Sequence, residues 1–164
     1  MLKAFTDQLN QSAEVEEPII VQLTTAGGVA DVGLRIAEHV RLCREVLKRE
    51  MVFLGEAIVY SAGITIMAAF PIRCRYLTRN TTLLIHGRKT NSKEIPAGPL
   101  TASLQAAQAV VAEFQSGIEA ERKGFEQLIA GSAIQFNEIE ERSKTNWYLS
   151  AEEALRRRMV AGCI

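Results

Sequence analysis

Three short stretches place residues capable of catalysis next to the predicted ends of apolar runs. Ser61 interrupts the run "VYSAGITIMAAF", His86 ends "TLLIH", and the glycine pair Gly27–Gly28 ends "TTAGG". A serine hydroxyl, an imidazole base and free backbone N–H groups are the set that acyl transfer needs. We therefore predict a hydrolytic site at the place where the fold brings these residues together.

Each motif also has a structural explanation. Serine is a favoured N-cap, so Ser61 taken alone is more typical of a helix start than of catalysis, and a glycine pair taken alone is at least as typical of a tight turn at positive φ. His39 falls among the charged positions of a predicted helix, and we expect it at the surface. The hypothesis of a catalytic site therefore depends on all three motifs lying together at one sheet edge.

The elements that must position these motifs alternate between strands and helices. An amphipathic helix over Val29 to Arg49 is predicted by apolar residues at spacings of three and four, namely Val32, Ile36, Val40, Cys43 and Leu47. Strands are predicted at residues 19–23, 51–60, 73–77 and 82–86, with a small-residue helix at 61–70. The alternation predicts an α/β fold with a largely parallel core sheet, whose carboxyl edge is the usual ligand site.

The C-terminal half follows a different pattern. From Leu100 to Ala130, apolar residues recur at nearly helical spacing, namely Leu104, Ala107, Val111, Phe114, Ile118, Phe125 and Leu128. A helix of this length is about twice the average, and we expect it to project toward a partner subunit. Two capping boxes, Ser132 with Gln135 and Ser150 with Glu153, predict the starts of two shorter helices.

Composition limits the classes of protein. The 164 residues, 48% of them hydrophobic, fit a single domain over 1–164. Basic and acidic residues balance at 19 each, so we expect neither nucleic acid nor a membrane as partner. The basic run Arg156–Arg158 is expected to lie on a solvated face at a helix end.

Three cysteines without CxxC or Cys/His spacing predict neither a disulfide framework nor a metal site, and we expect no cofactor. The N-terminus is too polar for a signal peptide. The longest uncharged run, Ala57 to Ile72, is shorter than a membrane-spanning helix. These features predict a cytoplasmic protein.

Together, the motifs resemble those of the Clp protease proteolytic subunit family, within the wider Clp/crotonase superfamily. The similar stretches are "TAGG", "YSAG", "LIHG" and, near the C-terminus, "NWYLSAEEALRRRMV". The separation between Ser61 and His86 also matches the family's, and the similarity runs from Ile19 to the end. The resemblance implies a ClpP/crotonase-like fold with flanking helices and a long protruding handle-like helix at about residues 100–131.

The resemblance also implies roles for individual residues. Ser61 would be the nucleophile, His86 the general base, and Gly27 and Ala62 the donors of oxyanion-hole N–H groups. The implied protein is a serine endopeptidase acting on peptides or unfolded proteins as a homo-oligomer, in a ring or stacked rings. The chain begins inside what resembles the family's first helix, so an ATPase unfoldase partner is left open.

One departure from the family pattern keeps alternatives open. Arg142 aligns with the family's triad aspartate, and a cation there cannot stabilise an imidazolium. Glu138, one helical turn earlier, is an alternative acid, and a Ser–Lys dyad with Lys89 or Lys93 is another arrangement. The other functional hypotheses are an inactive subunit or assembly scaffold and a crotonase-type acyl-CoA enzyme.

Overall fold

The computed structural model describes residues 2–12, 17–89 and 97–164. The helices are α1 (Leu2–Gln11), α2 (Ala30–Glu45), α3 (Ala62–Ala68), α4 (Leu100–Ile129), α5 (Phe136–Ser143) and α6 (Ala151–Arg156). The strands are β1 (Ile19–Thr25), β2 (Met51–Tyr60), β3 (Arg75–Leu77), β4 (Thr82–Ile85), β5 (Trp147–Ser150) and β6 (Gly162–Cys163). Within the described ranges, no helix has the length and apolar character needed to cross a bilayer.

Strand β2 is the centre of the sheet. It pairs in parallel with β1 along one side and with β3 and β4 along the other. Strand β6 extends the sheet in parallel beyond β3, and β5 pairs antiparallel with β4. The prediction of an α/β fold with a largely parallel core sheet is confirmed, and the antiparallel strand β5 is an addition to it.

The core packs buried residues of the sheet against α3, and α3 in turn against α2. Strand β2 buries alternate residues, as the two-residue period of a strand requires, and α2 buries Ile36, Ala37, Val40 and Cys43 along one face. Helices α2 and α3 approach closely at Gly33, where an added Cβ would lie 3.0 Å from the Cβ of Ala62. This approach fixes the start of α3, the helix that follows Ser61.

A buried arginine joins the long helix to this core. The side chain of Arg75 is only 2% exposed and donates hydrogen bonds to four backbone carbonyls, those of Ala68, Phe70, Leu128 and Met159. Three of these carbonyls lie at the C-terminal ends of α3 and α4, where the helix dipole is negative. Burial lowers the pKa of Arg75 to about 10, with a smaller contribution from the nearby Arg44.

The long helix α4 is continuous, as the periodicity predicts, and it passes through Gly117 and Gly124 without a break. The predicted helix start at Ser132 is wrong, because α5 begins at Phe136. The hydroxyl of Ser132 instead accepts from the N–H of Ile134 at 3.1 Å, within the turn after α4. The second capping box is confirmed, since Ser150 accepts from the N–H of Glu153 at 3.1 Å.

Candidate active site

Ser61 lies on the sharp turn between β2 and α3. Its backbone has φ 55° and ψ −112°, and its N–H donates to the carbonyl of Leu84 at 2.9 Å. Its hydroxyl makes no capping hydrogen bond, which counts against the N-cap interpretation. A serine at positive φ costs about 1–3 kcal/mol, and a strained strand-to-helix turn is typical of nucleophilic serines in α/β hydrolases.

Gly27 lies directly against Ser61. An added Cβ on Gly27 would be 2.8 Å from the Cβ of Ser61 and 3.4 Å from its Oγ, and the backbone has φ 107°. Both the space and the backbone conformation therefore require glycine at this position. The structure thus brings together two of the predicted site residues.

The two predicted oxyanion donors differ in their surroundings. The N–H of Gly27 donates to the hydroxyl of Thr25 at 3.1 Å, so a bound oxyanion would have to displace that hydroxyl. Ala62 is buried and begins α3, where first-turn N–H groups have no acceptor within the helix. An N–H group that is shielded from water at this point can stabilise a developing negative charge.

His86 follows β4 and is half-buried. Its Nδ1 lies 2.6 Å from the carbonyl oxygen of Gly87. Because a carbonyl only accepts, Nδ1 carries the proton in this contact, which leaves Nε2 of the neutral ring as the basic nitrogen. Among the described residues, no hydrogen bond joins His86 to Ser61, although the two follow neighbouring parallel strands in which Tyr60 is the register partner of Leu84.

Arg142 and Glu138 belong to an ionic cluster beside this segment. Glu138 pairs with Arg142 at 3.1 Å and with Arg157 at 2.7 Å. Both guanidinium groups lie over the ring of Trp147, at 5.1 and 5.2 Å from its centroid. The carboxylate of Glu138 is thus engaged by two arginines, and within the described residues it makes no hydrogen bond to His86.

Glu121 is a residue near the site that the sequence analysis did not identify. Its carboxylate accepts a hydrogen bond from the backbone N–H of Arg88, and it lies 3.3 Å from where a Cβ on Gly87 would be. Glu121 precedes Phe125 and Leu128, the buried residues of α4, by four and seven positions. That shared helical phase was the available signal that Glu121 faces the protein.

The structure describes one of the two lysines of the alternative Ser–Lys dyad, and it describes the basic run Arg156–Arg158. Lys89 is exposed, and Lys93 lies outside the described residues. Arg156 pairs with Glu152 and Glu153 in the last turn of α6. Within the described ranges, no three His, Cys, Asp or Glu side chains are grouped closely enough to hold a metal ion.

Comparison with known proteins identifies the family. The model of the Clp protease family matches residues 5–163. The chain belongs to the Clp protease family. The resemblance of the "TAGG", "YSAG" and "LIHG" motifs is therefore confirmed at the level of the family.

Individual Clp proteins are similar over different extents. The ATP-dependent Clp protease proteolytic subunit 2 of Treponema pallidum (strain Nichols) is 32% identical over 76 residues, which cover 46% of this chain and 36% of that protein. A ClpP1 mutant from Listeria monocytogenes superposes with a TM-score of 0.76 at 21% identity, covering 99% of this chain and 83% of that chain. The structural match confirms the ClpP/crotonase-like fold.

Proposed function

We propose that this Clp family chain is a serine endopeptidase. Ser61 attacks a peptide carbonyl while Nε2 of His86 takes the hydroxyl proton, and the N–H groups of Gly27 and Ala62 hold the oxyanion. The amine then leaves with a proton from His86, and water hydrolyses the acyl-enzyme. The observation that carries the proposal is the backbone of Ser61, held at φ 55° against Gly27.

The hydrogen bonds around the site are consistent with this chemistry. An oxyanion is a stronger acceptor than the hydroxyl of Thr25, so it would displace that hydroxyl from the N–H of Gly27. His86 already has the tautomer in which Nε2 can accept a proton. Substrate binding would need only to bring Nε2 and the Ser61 hydroxyl into contact, and catalytic hydrogen bonds often tighten at that stage.

A fluorophosphonate probe tests the proposal directly. We expect the probe to form an adduct that peptide mass mapping places on Ser61, and we expect His86→Ala to lose at least about 100-fold in labelling rate. His39→Ala is the matched control, because it removes the other histidine of the chain and should label normally. Labelling of Ser61 that survives His86→Ala unchanged would contradict the role of His86.

We also propose that the protein works as a homo-oligomer, in a ring or stacked rings. Apolar residues along α4 are 41% to 89% exposed, namely Leu100, Leu104, Val111, Phe114 and Ile118. All five share one helix face, and a partner would remove that face from water. Sedimentation should show an oligomer that Leu104→Asp with Ile118→Asp dissociates; a monomeric wild type would contradict this proposal.

A second candidate is a catalytically inactive Clp subunit. Two observations favour it: Arg142 aligns with the expected aspartate, and no hydrogen bond joins Ser61 to His86 in the described residues. This candidate predicts that well-folded protein is not labelled under any condition. An adduct on Ser61 would exclude it.

A further inference from the structure

Glu121 and His86 are connected through a single peptide unit. The carboxylate of Glu121 accepts from the backbone N–H of Arg88. The carbonyl of that same peptide unit belongs to Gly87, and it accepts from Nδ1 of His86 at 2.6 Å. Carboxylate, peptide and imidazole therefore form a continuous chain of hydrogen bonds.

The direction of these hydrogen bonds favours the tautomer of His86 that a general base needs. A peptide whose N–H donates to a carboxylate is polarised, so its carbonyl becomes a stronger acceptor. A stronger acceptor at Nδ1 favours the tautomer with the proton on that nitrogen, which leaves the Nε2 lone pair free. In chymotrypsin-type enzymes, the triad carboxylate holds the same tautomer by direct contact with Nδ1–H.

The rest of the structure keeps the segment after His86 in place. The N–H of Gly87 donates to the carbonyl of Ser143 at 3.1 Å, and the side chain of Arg88 pairs with Asp31 at 2.7 Å. Glu121 is itself held near the segment because Phe125 and Leu128, on the same face of α4, are buried in the core. The peptide between Gly87 and Arg88 is therefore fixed on both sides.

The elements that meet this segment carry many charged residues, of which four lie at or next to a contact with it. They are Glu121 on α4, Asp31 on α2, Arg142 on α5 and Arg88 on the segment itself. Asp31 contacts the end of the Arg88 side chain, and Arg142 contacts Glu138 and Trp147. Of the four, Glu121 is the one whose carboxylate bonds the peptide that holds His86.

We infer that Glu121 is a positioning residue that replaces the missing triad carboxylate by acting on His86 through the Gly87–Arg88 peptide. The inference rests on the proposed function of Ser61 and His86. Its structural part, the tautomer of His86, can be measured without any catalytic activity. A failure of this inference is therefore distinguishable from a failure of the proposed function.

The first test measures the tautomer by NMR. The chain has two histidines, so the ring ¹⁵N resonances of His86 are assigned by comparison with His86→Ala. In alkaline solution, we expect wild type to carry the proton on Nδ1 and Glu121→Gln to shift population toward Nε2–H. The control Glu126→Gln, an exposed position on the same helix, should keep the wild-type tautomer.

A second pair of variants acts on the peptide and leaves Glu121 intact. Arg88→Pro removes the N–H that donates to Glu121, whereas Arg88→Ala keeps that N–H and removes only the ion pair with Asp31. We expect Arg88→Pro to reproduce the tautomer shift of Glu121→Gln and Arg88→Ala to resemble wild type. The pair separates the hydrogen bond from the charge of the arginine.

The labelling rate of Ser61 connects the tautomer to catalysis. Glu121→Gln should slow fluorophosphonate labelling roughly tenfold, the lower end of the effect seen when a hydrogen-bond partner of a metal-ligating histidine is removed. An unchanged His86 tautomer in both Glu121→Gln and Arg88→Pro overturns the inference, and continued labelling of Ser61 would then leave the proposed function standing. A tautomer shift with no labelling of wild-type Ser61 supports the hydrogen-bond chain and overturns the proposed function instead.

Discussion

On the Ser61 side of the molecule, the backbone of buried strands sets the geometry, whereas on the Arg142 side partly exposed charged side chains do. Gly27 and Ser61 both have positive φ, and a Cβ added to Gly27 would lie 2.8 Å from the Cβ of Ser61. Arg142 reaches Glu138 and Trp147 with a side chain that is half exposed. A geometry set by the backbone has no room for an added methyl group, while a surface ionic cluster can rearrange at small cost.

The largest effect is expected at the buried Arg75. Arg75→Met leaves four backbone carbonyls without this donor, three of them at the C-terminal ends of α3 and α4. We expect a loss of about 3–5 kcal/mol in the free energy of unfolding, measured by urea denaturation. Arg73→Met, at an exposed position nearby, is the control and should lose less than about 0.5 kcal/mol.

The pH dependence of this loss follows from burial. Desolvation lowers the pKa of Arg75 in the folded state to about 10, below its ordinary value, so the penalty for burying the charge is constant below pH 10 and is relieved as pH rises above it. The stability difference between wild type and Arg75→Met should therefore be constant from about pH 6 to about pH 9. A difference that changes steadily across this range would mean that another group titrates with Arg75.

The next effect tests the backbone side of the comparison. Gly27→Ala places a methyl group 2.8 Å from the Cβ of Ser61 and displaces the N–H that we propose binds the oxyanion. We expect fluorophosphonate labelling of Ser61 to fall by about 10²–10³-fold, the cost of losing one such donor. Gly28→Ala is the matched control, because Gly28 also has positive φ but has open space around its Cβ position. Equal losses in the two variants would attribute the effect to backbone strain alone.

A smaller effect is expected from removing the Thr25 hydroxyl, which accepts a hydrogen bond from the Gly27 N–H. Thr25→Val removes the acceptor and keeps a branched side chain against Gly63. Labelling of Ser61 should become about 2–10 times faster, because the net value of one neutral hydrogen bond is about 0.5–1.5 kcal/mol. Slower labelling would show instead that Thr25 shapes the turn.

The smallest effect is expected on the ionic side. Arg142→Ala removes one of two guanidinium groups over Trp147, and Arg157 keeps its contact with both Trp147 and Glu138. Labelling of Ser61 should stay within about threefold of wild type, and stability should fall by no more than about 1 kcal/mol. A tenfold change in labelling would contradict the distinction between the backbone around Ser61 and the ionic cluster around Arg142.

The sequence predicted those parts of the fold that depend on local signals. The spacing of Ile36, Val40 and Cys43 predicts α2, and the ends of the apolar runs place Ser61 and His86 after neighbouring strands. The pairing of β5 and the contacts of Glu121 and Arg75 depend on how distant segments dock, and no local pattern records that. The helical phase of Glu121 with Phe125 and Leu128 places it on the packed face of α4, but only the packed helix shows that it bonds the N–H of Arg88.

The most direct test of the account is a crystal structure of the protein after fluorophosphonate treatment. We expect a phosphonyl group on Ser61 whose oxygen accepts from the N–H groups of Gly27 and Ala62, with the Thr25 hydroxyl displaced and Nε2 of His86 facing the reacted oxygen. A phosphonyl oxygen directed to solvent, with the Gly27 N–H still bonded to Thr25, would contradict it.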